Sequence, residues 1–197
     1  MEYGDENAIA IRREALRQSK WDISLEVEID DVSYTFAERI LQDQKISIIL
    51  PEQFDVMRPE IAKLKYPSEY RPDMILTSPK KGVDFTLKYI LYEDVSPEEI
   101  EEFTENLRMA GKRMNPATIY ETVGKIKAVN TFVPYYACQT SAFDADLYCI
   151  TFTSSIDGHL LLGGFSCIYE EREPWIILVK QMLETIQDLT LEEEARK

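Results

Sequence analysis

Residues 147–169 read LYCITFTSSIDGHLLLGGFSCIY, and this stretch decides the fold. Two runs, Leu147–Thr153 and His159–Tyr169, flank Ile156-Asp157-Gly158. An Asp-Gly pair between such runs is a strong signal for a tight β-hairpin. The returning run carries Leu160, Leu161 and Leu162 in succession, so both of its faces are expected to be covered. Gly163-Gly164 inside it points to a bulge or to close approach by another element. Strands joined by tight turns make an antiparallel sheet.

Beyond this hairpin the period changes. From Pro174, the residues Trp175, Leu178, Val179, Met182, Leu183, Ile186 and Leu189 fall on one stripe at about 100° per residue, which predicts an amphipathic helix. Lys180, Gln181, Glu184, Gln187 and Asp188 take the other side, and only Ile177 breaks the pattern. Upstream, Thr131–Thr140 reads as a strand in which Pro134 implies an edge or a bulge. Thr118–Val129 has a composition that also suits a helix. A strand is preferred, because its apolar residues hold no single helical stripe and Gly124 interrupts them.

Further upstream, Ser96-Pro97-Glu98-Glu99 is a capping box. It opens a predicted helix with Ile100, Phe103, Leu107 and Ala110 on one stripe and Gly111 as its expected end. Asp73–Thr77 and Val83–Tyr92 form a second hairpin about Pro79–Gly82. Arg58–Lys65 suits a short helix with Pro59 at its first position. Lys45–Leu50 is a β-branched run read as a covered strand. Ile23–Ile40 reads as a hairpin turning at Asp30-Asp31, with Val32, Tyr34 and Phe36 on the return strand. Asn7–Gln18 suits a short charged helix. Helices with one apolar stripe must cover the sheet. The expected class is therefore α+β, an antiparallel sheet flanked by helices in an α/β/α sandwich.

Composition narrows the functional classes. The chain has 197 residues, 45% of them hydrophobic, enough for one sizeable core. Acidic residues number 36 against 22 basic, a formal net charge of −14. That field repels nucleic acid and anionic membranes and attracts basic proteins, although it also serves solubility. No leader is read in Met1–Ala10, and no apolar run is long enough to span a bilayer. Cys138, Cys149 and Cys167 are an odd, widely spaced set, which suits a reducing cytoplasm and buried inert thiols.

Catalytic patterns find little support. His159, the single histidine, follows a turn and has no nucleophile elbow beside it. Glu98, Glu99, Glu101 and Glu102 sit where a helix dipole favours negative charge. Asp144 and Asp146 place two carboxylates on one side of an extended segment, a candidate cation or ligand contact whose ordinary role is to cap turn amides. No metal-ligand spacing and no cofactor motif occurs. The loop Tyr66-Pro67-Ser68-Glu69-Tyr70-Arg71-Pro72 is the candidate partner-binding segment. Its prolines reduce the entropy lost on ordering, and Tyr66, Tyr70 and Arg71 are common interface anchors. The alternative is that the loop packs onto the sheet.

The runs KISIILPEQF, IAKLKYPSEYRP, VDFTLKY, DADLYCITFTSSIDGHLLLGGFSC and EPWIILVKQMLETI resemble, in that order, a family of small uncharacterised bacterial proteins, mostly clostridial. The resemblance spans approximately residues 45–190. That family is similar to the PsbP/Mog1-like fold, whose better-known members are noncatalytic partner-binding or assembly proteins. It implies a main domain over 45–190, a helix-and-hairpin extension over 1–44 packed on it, and a polar tail over 191–197. The expectation is a noncatalytic protein-interaction or accessory module, without cofactor, acting as a monomer or weak homo-oligomer on a basic protein partner. A small-ligand or lipid carrier, using space between the sheet and the last helix, is the alternative. A hydrolase using Asp144 or Asp146 stands third.

Overall fold

The computed structural model describes residues 20–80, 82–142 and 144–191. The expected Asn7–Gln18 helix and most of the polar tail lie outside them. The short strands β1 (Val27–Ile29) and β2 (Val32–Tyr34) pair as a two-stranded ribbon. β3 (Phe36–Leu41) and β4 (Ile46–Pro51) form an antiparallel pair in a second, three-stranded sheet. The main sheet contains β5 (Asp55–Val56), β6 (Met74–Thr77), β7 (Asp84–Asp94), β8 (Ile119–Lys127), β9 (Phe132–Ser141), β10 (Asp146–Ile156) and β11 (His159–Ile168). Its order is β5-β6-β7-β11-β10-β9-β8, antiparallel throughout. The helices are α1 (Pro59–Lys65), α2 (Ile100–Met114) and α3 (Arg172–Glu184), and β12 (Gln187–Asp188) closes the chain against β4.

The β10–β11 turn forms as its sequence requires. Ile156 pairs with His159, so the loop has two residues, and Asp157 and Gly158 take φ of 52° and 74°. Positive φ at both positions matches the right-handed twist of the flanking strands. Gly163-Gly164 is a place of close approach. A Cβ on Gly163 would stand 2.0 Å from the Phe152 ring, so only glycine lets that ring lie across β11. The bulge falls elsewhere, between His159 and Leu160.

Successive strand residues face opposite sides, and here the two sides differ in bulk. Phe85, Leu87, Ile150, Phe152, Leu161 and Phe165 point to one face and are buried. There they join Trp175, Leu178, Val179, Met182 and Leu183 of α3, and Ile46, Ile48 and Leu50 of β4, in one core. Trp175 is its hub. Its ring lies 5.2 Å from Tyr34, 5.4 Å from Phe165 and 5.9 Å from Phe54, centroid to centroid. Among the described residues the space between the sheet and the last helix, where the alternative carrier reading placed its ligand, is filled with these side chains.

The opposite face is covered only in part. The hydroxyls of Thr104 in α2 and Thr153 in β10 are 2.5 Å apart, and Ile100 packs on Val95 and Leu160. At the other side, Ala62 and Tyr66 pack on Met57 and Ile75. Between these contacts the sheet face stays open among the described residues.

Several boundaries differ from the sequence reading. Phe36 leaves the β1–β2 hairpin and starts β3, which pairs with β4. Helix α2 does not stop at Gly111 but runs through it to Met114. A Cβ there would lie 2.8 Å from the Tyr120 phenol oxygen, so Gly111 serves close approach. The expected capping box is half formed: the Glu99 carboxylate accepts from the Ser96 N–H (3.2 Å) and O–H (2.7 Å), and regular helix begins at Ile100. Helix α3 ends at Glu184, so Ile186 and Leu189 are not on its stripe.

The chain is drawn off that last helix by Asp188, which is buried rather than on a polar helix side. Its carboxylate accepts from the Asp157 N–H at 2.9 Å, and from the N–H and O–H of Thr190 at 2.9 and 2.6 Å. The Asn130 side chain meets its backbone on both sides, at 2.7 and 2.8 Å.

Candidate functional site

The open face contains a groove of about 690 Å³. It exists because the residues pointing into it are small. Thr86, Cys149, Thr151, Gly164 and Ser166 form its floor, on the same strands whose other faces carry the large core residues. Leu147, Ile168, Ala142 and Ala145 add apolar wall. Asp144, in the β9–β10 turn, stands at its margin.

One end of the groove is polar. Asp84 lies there with its side chain at 0% exposure. A buried carboxylate needs compensation, and three groups supply it. Lys65 Nζ stands 2.7 Å from Oδ2, the Tyr66 hydroxyl donates to Oδ2 at 2.8 Å, and the Thr77 hydroxyl donates to Oδ1 at 2.9 Å. Burial, and then the Asp84 charge, push the Tyr66 phenol well above the ordinary tyrosine range. Tyr66 therefore stays protonated and acts as a fixed donor. Helix α1 positions this end: Pro59 starts it, and its last turn delivers Lys65 and then Tyr66.

The candidate loop is divided by this arrangement. Tyr66 packs on the sheet through the Met57–Ala62–Ile75 cluster and its bond to Asp84. Tyr70 is 79% exposed, and the Lys88 ammonium lies 5.8 Å from its ring centroid. Lys88 also donates to the Tyr70 carbonyl at 3.1 Å, which holds the loop over β7. Pro67 is exposed, while Arg71 and Pro72 are half-buried.

The two candidate aspartates do not converge. Asp144 borders the groove, whereas Asp146 shares the strand face of Tyr148 and Ile150. Both Asp146 oxygens are occupied, by Gln139 Nε2 at 2.9 Å and the Ser141 hydroxyl at 2.7 Å. That is a turn clasp. Among the described residues no group of three His, Cys, Asp or Glu side chains is placed to hold a metal. His159 Nδ1 lies 2.9 Å from Asp94 Oδ1, at the far end of β11 from the groove polar cluster.

Asp84, Lys65 and the small floor residues did not stand out in the sequence. The available signal was the parity of CITFTS, GGFS and DFTL, bulky on one side and small on the other.

No family model and no curated protein matches this sequence. Solved structures do. The chain is similar to cyanobacterial PsbP (CyanoP) from Synechocystis sp. PCC 6803, with a TM-score of 0.56 at 5% identity, over 78% of this chain and 92% of that one. It is also similar to LpqN of Mycobacterium tuberculosis, described as involved in cell envelope biogenesis, with a TM-score of 0.51 at 11% identity, over 81% and 93% of the two chains. At such identities the likeness is one of fold. The protein has an α+β, PsbP-like fold built mostly of antiparallel sheet. Among the described residues no helix is long and apolar enough to cross a membrane.

Proposed function

We propose that this chain is a noncatalytic binding protein and that the open groove is where it holds a segment of another protein. The groove carries the reading. It is a preformed apolar depression with one fixed polar end, the usual anatomy of a recognition site. Its surroundings favour a protein partner. Tyr70 is 79% exposed and Leu64, beside Lys65 in sequence, is 83% exposed. Large exposed apolar residues on the helix and loop that carry Lys65 and Tyr66 suit an interface that buries them. The formal charge of −14 selects a partner in which apolar anchors are flanked by Lys or Arg.

Selection of random peptides on the wild-type protein tests this, with Ser166→Phe as the counter-selected variant because it fills the groove floor. Enriched peptides should combine apolar anchors with basic flanks and lose binding to Ser166→Phe. Peptides that bind both proteins equally would contradict the reading. A small apolar ligand is the second reading, favoured by the groove volume of about 690 Å³, which is typical of small-molecule sites. Native mass spectrometry of freshly purified protein distinguishes it by a retained mass that Ser166→Phe lacks.

A further inference from the structure

Two of the three thiols face each other. Cys138 in β9 and Cys149 in β10 are direct cross-strand partners on the open face. Cys167 lies on the other face, opposite Tyr148, and is buried in the core. The expected burial holds for Cys138 and Cys167, while Cys149 is half-buried.

We propose that Cys138 and Cys149 are a redox-active dithiol, which hydrogen peroxide converts into an intramolecular disulfide. Directly opposed antiparallel residues have Cα atoms about 4.5–5.5 Å apart, inside the range of about 4.4–6.8 Å that a disulfide spans. Their Cβ atoms sit about 4.5–5.5 Å apart, and a disulfide needs about 3.5–4.5 Å. At most a small approach of the two strands closes the bond.

The two thiols are unequal. The facing Cys149 thiol holds Cys138 below the ordinary cysteine range, while Cys138 and then burial push Cys149 up. In the proposed order Cys138 attacks and Cys149 resolves. The groove reaches Cys149, which lines it, while Cys138 beside it is buried. In the first step the Cys138 thiolate attacks one peroxide oxygen. The O–O bond breaks, hydroxide leaves and takes a proton to become water, and Cys138 becomes a sulfenic acid. In the second step Cys149 loses its proton, and its sulfur attacks the sulfenic sulfur. The S–O bond breaks and a second water leaves. The thiols together lose two electrons and two protons, and the peroxide is reduced to two waters. Because Cys149 is part of the floor, oxidation also removes an S–H group from the groove.

The test treats reduced full-length protein with a slight excess of hydrogen peroxide, then alkylates it under unfolding conditions before intact-mass and peptide analysis. The expected product is lighter by two hydrogens, carries one alkyl group, on Cys167, and yields a Cys138–Cys149 linked peptide pair that dithiothreitol releases. Cys138→Ala and Cys149→Ala should each abolish the product, and Cys167→Ala should retain it. Full alkylation of all thiols, oxidation stopping at a sulfinic acid, or a link through Cys167 or to a second chain would overturn the proposal. The wild-type peptide map decides the matter even if a variant fails to fold.

Discussion

Asp84 and Lys65 show how exposure decides what a single residue is worth. Asp84 has 0% of its side chain exposed and satisfies three donors, whereas Lys65 keeps 39% of its side chain exposed. Asp84→Ala removes the acceptor and leaves the Tyr66 and Thr77 hydroxyls unpaired. It should cost on the order of 3 kcal/mol, the scale for breaking a buried charged contact. Lys65→Ala leaves the buried Asp84 carboxylate held by two hydroxyls without its cation, and should cost about 1–2 kcal/mol, less than Asp84→Ala. Urea denaturation of both variants checks the ranking. Equal losses would mean that the ion pair, and not the burial of the carboxylate, sets the energy. This arrangement was not legible in the sequence. Lys65, Tyr66, Thr77 and Asp84 come from a helix end and two strands, and no local period links them.

At the scale of elements, what could be read were features that announce themselves locally. The Asp157-Gly158 turn, the β-branched runs and the Trp175 stripe each carry their own signal, and each formed. Thr118–Val129 settled as a strand, Ile119–Lys127, in keeping with the weak stripe and Gly124. Element ends were less legible because distant partners set them. Gly111 looked like a helix stop, but tertiary packing under Tyr120 uses it instead. The helix period seemed to continue to Leu189, yet Asp188 is pulled aside by the Asp157 amide and by Asn130. Asp188→Ala should therefore free the Gln187-Asp188 strand from β4 and leave the Asp157 N–H without its acceptor. The expected loss is about 2–3 kcal/mol, the scale for orphaning buried polar groups. Hydrogen exchange should quicken at Asp157 and at Ser47, which pairs with Gln187. Exchange unchanged at both would refute Asp188 as the clasp.

At the scale of the whole molecule, burial imposes a pH dependence. Burial pushes the Cys167 thiol up to about 12, and raises Tyr136 and Tyr148 above the ordinary tyrosine range. The folded state thus holds these protons more tightly than the unfolded chain. The stabilisation is complete below the unfolded values, about 8.5 for Cys and about 10 for Tyr, and is lost as pH rises through them toward the folded values. Melting temperature should fall steadily from about pH 8.5 upward. A flat or rising curve through that window would contradict the burial of these groups.

The two faces of the main sheet give the molecule its working asymmetry. Bulky residues fill one face under α3, and small residues leave a groove in the other. Sequence parity gave each strand its bulky and small sides, but only the strand order brings the small positions of β7, β10 and β11 together. Titration of the protein with indole, a neutral mimic of a partner's aromatic anchor, followed by two-dimensional amide NMR, tests that groove most directly. The account predicts saturable shifts concentrated at Thr86, Cys149, Thr151, Gly164 and Ser166, and absent from Ser166→Phe. Shifts confined to other surfaces, or none at these five amides, would contradict it.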